Sequence, residues 1–96
     1  MLEIRQTTRY SAWFEALRDR QGKARIVARV RRLQEGNPGQ HRALAGGVLE
    51  LKIDFGPGYR VYCTRRGNQF ILLLLGGDKS SQSDDIAAAQ AMAKEI

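Results

Sequence analysis

Apolar residues change their spacing along this chain, and each change marks an element. Leu2, Ile4 and Gln6 alternate with Glu3, Arg5 and Thr7, which predicts a short, half-polar first strand. Spacing then shifts to three and four. Tyr10, Trp13, Phe14 and Leu17 form an apolar stripe behind a Thr7 or Thr8 cap, predicting a helix that stops at Arg20-Gln21-Gly22. Ile26, Val27, Val30 and Leu33 predict a second helix from about Lys23 to Glu35, which Gly36-Asn37-Pro38-Gly39 ends. Residues 37–47 read as a polar, glycine-containing loop. Alternation of period two returns in Val48 to Phe55 and again in Tyr59 to Thr64, around Gly56-Pro57-Gly58. Gln69 to Leu75 is apolar throughout, as a strand covered on both faces would be. Ser81 or Ser83 caps a last helix from about Gln82 to Lys94. The predicted order is β-α-α-β-β-β-α. It describes an α+β fold: an antiparallel sheet of about four strands, a helical hairpin on one face and a C-terminal helix at an edge or on the other face.

Ninety-six residues suit one domain, 1–96, with a small core. The longest apolar run, Phe70 to Leu75, is far short of the ~20 residues of a membrane span. A charged N-terminal segment, Leu2-Glu3-Ile4-Arg5, is unlike a signal peptide and points to the cytoplasm. Cys63 is the single cysteine, so no internal disulfide can form. No spacing of His, Cys, Asp and Glu suggests a metal, and no cofactor motif is present. Net charge is +6, but residues 1–66 hold fourteen Lys and Arg against six Asp and Glu, and residues 67–96 hold two against four. A basic body suits a polyanionic partner.

The hairpin 48–64 gives that charge a place. If Leu49, Leu51 and Ile53 face the helices, Glu50, Lys52 and Asp54 face away. The same alternation buries Tyr59, Val61 and Cys63 and turns Arg60 and Tyr62 outward. Lys52 and Arg60 then share a face on adjacent strands, roughly 5–8 Å apart. A guanidinium fork beside an ammonium suits phosphate oxygens. On an isolated hairpin, however, Glu50 and Asp54 would simply neutralise both cations. Gly76-Gly77-Asp78-Lys79-Ser80-Ser81 follows the apolar strand and opens a helix, so its backbone N–H groups, Lys79 and two hydroxyls could add anion donors. The loop lacks P-loop spacing. Cys63 reads as a buried thiol, Tyr10, Trp13 and Phe14 as core, and His41 as an exposed loop residue. The Arg25, Arg29 and Arg32 helix face reads as solvated, or as a dock for an acidic partner or a nucleic-acid backbone.

Taken together, Trp13 to Asp19, Ala24 to Leu33 with Gly36-Asn37, Gly47 to Ile53, Gly56-Pro57-Gly58-Tyr59-Arg60-Val61-Tyr62 and Leu73 to Gln82 with Asp85-Ile86 resemble the RelE/ParE superfamily of bacterial type II toxins. The closer resemblance is to its HigB-like, phage-derived addiction-module killer proteins. It implies a toxin that cuts mRNA without a metal, often on the ribosome, through attack of a ribose 2′-hydroxyl on the adjacent phosphate. It also implies an antitoxin partner, commonly a small helix-turn-helix protein. Lys52, Arg60 and Lys79 fall at the positions of the family's catalytic cations. Arg42, Tyr62, Ser80 and Ser81 are the corresponding candidates for RNA contact, with Tyr62 able to stack on a base. The sequence departs from the pattern in three places. Glu50 replaces a cation, Asp84 and Asp85 stand where some relatives place a tyrosine, and the histidines of some HigB enzymes have no counterpart. Lys52 and Glu50 both remain open as the proton acceptor. Other superfamily members inhibit DNA gyrase instead, and a non-toxic antitoxin-binding module is a third reading.

Overall fold

A computed structural model of the chain describes residues 2–96. Element order is β1 (Glu3–Gln6), α1 (Thr8–Ala16), α2 (Arg20–Gln34), β2 (His41–Leu44), β3 (Val48–Ile53), β4 (Tyr59–Arg66), β5 (Phe70–Gly77), a 3-10 turn (Lys79–Ser81) and α3 (Gln82–Lys94). The α+β layout matches expectation. Its sheet has five strands, in order β1-β5-β4-β3-β2, and all pairings are antiparallel except β1 with β5.

The extra strand is β2, which sequence reading leaves inside a loop. His41, Arg42 and Ala43 are exposed, so no apolar alternation betrays an edge strand that is held by its backbone alone. Gly46 and Gly47, at φ +84° and +76°, make the left-handed turn that returns the chain from Leu44 to Val48.

Helix boundaries also move. α1 stops at Ala16 rather than near Gly22, because Asp19 starts α2 by accepting the Gly22 N–H at 2.9 Å. Gly22 therefore lies within the first turn of α2. A Cβ there would come within 2.6 Å of the Tyr59 ring, so the glycine serves close packing and not termination. At its other end α2 finishes as expected. Gly36, at φ +101°, bonds the Leu33 carbonyl and Asn37 N–H bonds that of Arg32.

Both sheet faces are covered over β4 and β5. Tyr10 of α1 and Ile26 and Leu33 of α2 pack on Leu51, Ile53, Tyr59, Val61, Cys63, Ile71 and Leu73 of the sheet. Val48, Tyr62, Leu74 and Leu75 pack beneath Ala89 and Ala93 of α3. A bulge lets β5 serve both layers. Tyr62 pairs with Leu75 and Cys63 with Leu73, leaving Leu74 as the additional residue. Leu74 and Leu75 consequently face the same layer. The Thr7 hydroxyl donates to the Leu74 carbonyl at 2.6 Å, which ties the end of β1 to the bulge.

Candidate active site

Phase reversal at the bulge explains Gly76-Gly77, which closes β5 instead of opening a loop. A Cβ on Gly76 would lie 2.2 Å from the Trp13 ring on one face, and one on Gly77 would lie 2.0 Å from an Asp85 carboxylate oxygen on the other. Close approach of α1 and α3 requires both glycines. Asp85 in turn accepts the Ser81 hydroxyl at 2.5 Å, and Asp78 accepts the Ser80 N–H and hydroxyl. The Ser80 N–H and both serine hydroxyls are thus occupied by the protein's own carboxylates, the Ser81 N–H bonds the Asp78 carbonyl, and Asp84 and Asp85 stand in the first turn of α3. Lys79 alone remains from that segment. Its side-chain stem crosses Gly58, where a Cβ would sit 2.9 Å from Lys79 Cγ, and Gly58 holds φ +80°. The bare, left-handed glycine is what admits Lys79 to the hairpin.

Lys52 pairs directly with Arg60 across β3 and β4, as a register symmetric about the turn predicts. Lys52, Arg60 and Lys79 line one cavity of about 210 Å³, completed by Gln40 and Asp54. The three cations arrive from three separate stretches of chain. Arg60 is 7% exposed, not turned out to solvent. Its Nη1 donates to the carbonyls of Gly58 and Tyr59, both at 3.1 Å, while its buried Nε has no partner among the described residues. Two carbonyls therefore hold Nη1, and neither Nη2 nor the buried Nε has a hydrogen-bond partner among the described residues. Among the described residues, no carboxylate lies within 4.0 Å of the charged nitrogens of Lys52, Arg60 or Lys79. The expected neutralisation by Glu50 and Asp54 is absent, although Asp54 shares the lining.

Glu50 lies elsewhere. It is fully buried, and its carboxylate accepts the Tyr62 hydroxyl (3.0 Å), Gln82 Nε2 (2.9 Å) and Arg42 Nε (3.1 Å). This network sits beneath the start of α3 and outside the cavity lining. Tyr62 is 0% exposed and cannot meet a base. Its hydroxyl is pushed well above the ordinary tyrosine range, first by burial and then by its bond to Glu50. Alternation alone turns both side chains to solvent because it places nothing over that face, and α3 covers it. Arg42 is half-exposed and engaged with Glu50. Of the residues expected to contact RNA, Arg42, Tyr62, Ser80 and Ser81 all lie outside the cavity lining.

His41 is exposed, with Nδ1 2.7 Å from the Gly39 carbonyl, and lines a different pocket. Cys63 is buried, and burial pushes its thiol up to about 12, in keeping with an inert core cysteine. Tyr10, Trp13 and Phe14 stack within the core as expected. Gln40 and Asp54 are the cavity residues that sequence reasoning does not assign to a site. Their positions flanking Lys52, one before β2 and one after β3, are the available signal. Among the described residues, no three His, Cys, Asp or Glu side chains converge as a metal set, and no helix is long and apolar enough to cross a membrane.

In class, this is an α+β sheet protein with three cations lining one cleft. The chain belongs to the family described as Phage derived protein Gp49-like (DUF891), whose profile matches residues 12–94. That family is associated with toxin–antitoxin systems. The chain is also 41% identical, over 95 residues, to an uncharacterized protein of Haemophilus influenzae, an alignment covering 99% of this chain and 96% of the relative.

Proposed function

We propose that the protein is the toxin of a toxin–antitoxin pair of the RelE/ParE type and cleaves mRNA at the Lys52-Arg60-Lys79 cleft. The observation that carries this reading is three converging cations, one of them buried with unused donors, and no carboxylate partner within 4.0 Å among the described residues. Such a cluster is stabilised by a bound anion, and a phosphodiester is the anion that a basic body with an open cleft selects. The ribose 2′-oxygen attacks the adjacent phosphorus, and the bond to the 5′-oxygen of the next nucleotide breaks. Products are a 2′,3′-cyclic phosphate and a 5′-hydroxyl. Arg60 spreads its fork over the non-bridging oxygens as charge builds on them. Asp54 is the carboxylate of the cleft that takes the 2′-hydroxyl proton, in place of Glu50. An ammonium group, from Lys52 or Lys79, returns a proton to the leaving oxygen. Membership in a toxin–antitoxin-associated family supports an antitoxin partner, for which a small helix-turn-helix protein is the expectation.

Cell-free translation with primer extension tests the reading. New mRNA ends should appear at inhibitory protein levels. Arg60→Ala should cut their rate of formation about 10²–10³-fold, as loss of one transition-state donor does. Arg60→Lys, which keeps charge without the fork, should recover only part of that loss. Inhibition of translation with intact mRNA, or inhibition of gyrase supercoiling without RNA cleavage, would overturn the proposal.

A further inference from the structure

A second cation cluster adjoins the cleft. Arg25, Arg29 and Arg32 of α2 line a cavity of about 280 Å³ whose other wall is Gln40, Ile53 and Asp54. Gln40 and Asp54 therefore border both cavities. Arg29 joins them physically, since it donates to the carbonyls of Lys52 (2.6 Å), Pro38 (2.9 Å) and Gln40 (2.7 Å). Its Nε is buried with no partner among the described residues. Arg25 is held over the Phe55 ring, 4.3 Å from its centroid, so its charge is positioned by the hairpin and not by the helix alone. No carboxylate lies within 4.0 Å of these guanidinium groups among the described residues. Burial and the neighbouring Arg32 push Arg29 below its ordinary value, as expected of a cation left without a counter-charge.

Resting on the nuclease reading, we infer that this α2 cavity is a second phosphate subsite, which holds a neighbouring phosphate of the same single RNA strand while the Lys52-Arg60-Lys79 cleft holds the reacting one. Two cationic cavities with a shared wall suit consecutive phosphates of one strand, whose path then runs from α2 across Gln40 and Asp54 to the hairpin. An acidic protein segment needs no such continuity with the cleft. The subsite would fix which phosphate enters the cleft without touching the reacting atoms.

The test measures binding of a fluorescent 2′-O-methyl oligoribonucleotide, which lacks the nucleophile, by anisotropy over a range of salt. For single strands the logarithmic salt slope falls by about 0.7 for each phosphate that the protein no longer neutralises. Arg25→Gln with Arg32→Gln empties a subsite for one phosphate and should therefore lower the slope by about 0.7, one such step. Both side chains are exposed, so folding should survive. Arg9→Gln with Arg18→Gln removes the same net charge from sites outside both cavities and should leave the slope in place. An unchanged slope in the α2 variant, or an equal fall in both pairs, overturns the inference. So does a binding defect confined to an acidic peptide such as polyglutamate. The α2 slope effect in a protein that never cuts RNA would sink the nuclease reading alone. RNA cleavage with an unchanged α2 slope would sink the subsite alone.

Discussion

Substitution of Glu50 separates a structural carboxylate from a chemical one. Its side chain is fully buried, and its two oxygens receive Tyr62, Gln82 and Arg42. Glu50→Ala strips partners from a buried hydroxyl and an amide and opens a cavity in the α3 layer. Removal of one member of a buried charged network costs about 3–5 kcal/mol. Arg42 contributes the smaller share, because its side chain is 47% exposed and water screens the pair. Glu50→Gln keeps shape and volume. Its amide oxygen can face Arg42, while its NH₂ donates to the Tyr62 oxygen and to a flipped Gln82 amide, so its cost should be about 1–2 kcal/mol. Urea unfolding followed by circular dichroism measures both. At a typical slope of about 1–3 kcal/mol per molar, the alanine variant should lose at least about 1 M of midpoint and the glutamine variant clearly less. Tyr62→Phe should couple to Glu50→Ala by about 0.5–3 kcal/mol in a double-mutant cycle, since the two touch directly. RNA cleavage by Glu50→Gln should stay within about tenfold of the parent, because the residue lies outside the cleft. An alanine cost below about 1 kcal/mol would refute the network. A folded glutamine variant that loses about 10²-fold or more in cleavage would return Glu50 to the chemistry.

Two further outcomes follow from specific pairings in the structure. The Asp19 carboxyl is held below the usual carboxylate range, chiefly by the Gly22 N–H and then by the Tyr59 hydroxyl. Stability from a depressed carboxyl is fully present above the unfolded value near pH ~3.9 and is lost as pH falls through the lower folded value. The parent's urea midpoint should therefore drop more steeply below pH ~4 than that of Asp19→Asn, and parallel curves would refute the assignment. Gly77→Ala should destabilise by about 1–3 kcal/mol or more, since its Cβ would sit 2.0 Å from Asp85 and 2.9 Å from Ser81 Oγ. Thermal denaturation of that variant within about 1 °C of the parent would show that α3 does not approach β5 so closely.

The legible parts of the fold are those with strong periodicity and terminal signals. The stripes of α1 and α2, the Gly36 stop, the hairpin register and the burial of Cys63 all follow from local pattern. Two misreadings have a shared cause, the position of α3. Alternation states correctly that Glu50 and Tyr62 lie on the same face as Lys52 and Arg60, but it does not state what covers that face. A last helix rich in alanine, with no bulky stripe, is read as lying at an edge or on the other face, and the pattern does not choose between the two. β2 escapes notice because an exposed edge strand needs no apolar pattern. Gly76-Gly77 looks like a phosphate loop because a glycine demanded by tertiary packing is indistinguishable, in sequence, from a glycine demanded by a turn.

One face of the β3–β4 hairpin shows how the cleft arises. Three cross-strand pairs run along it: Val48 with Thr64, Glu50 with Tyr62, and Lys52 with Arg60. α3 lies over the first two, from Ala93 near one end to Gln82 above Glu50. Asp78 caps the 3-10 turn that leads into the helix, and no described residue of α3 lines the cavity beside the third pair. The helix thus divides one alternating face into a buried acid, saturated with donors, and an open pair of cations. Burying Glu50 prevents it from neutralising Lys52 and Arg60. Because Gln82 bonds Glu50 only three residues after Lys79, the same buried acid anchors the start of α3 and brings Lys79 over Gly58 to join them. The carboxylate that sequence alone places in the cleft is what leaves the cleft uniformly positive, apart from Asp54 at its rim.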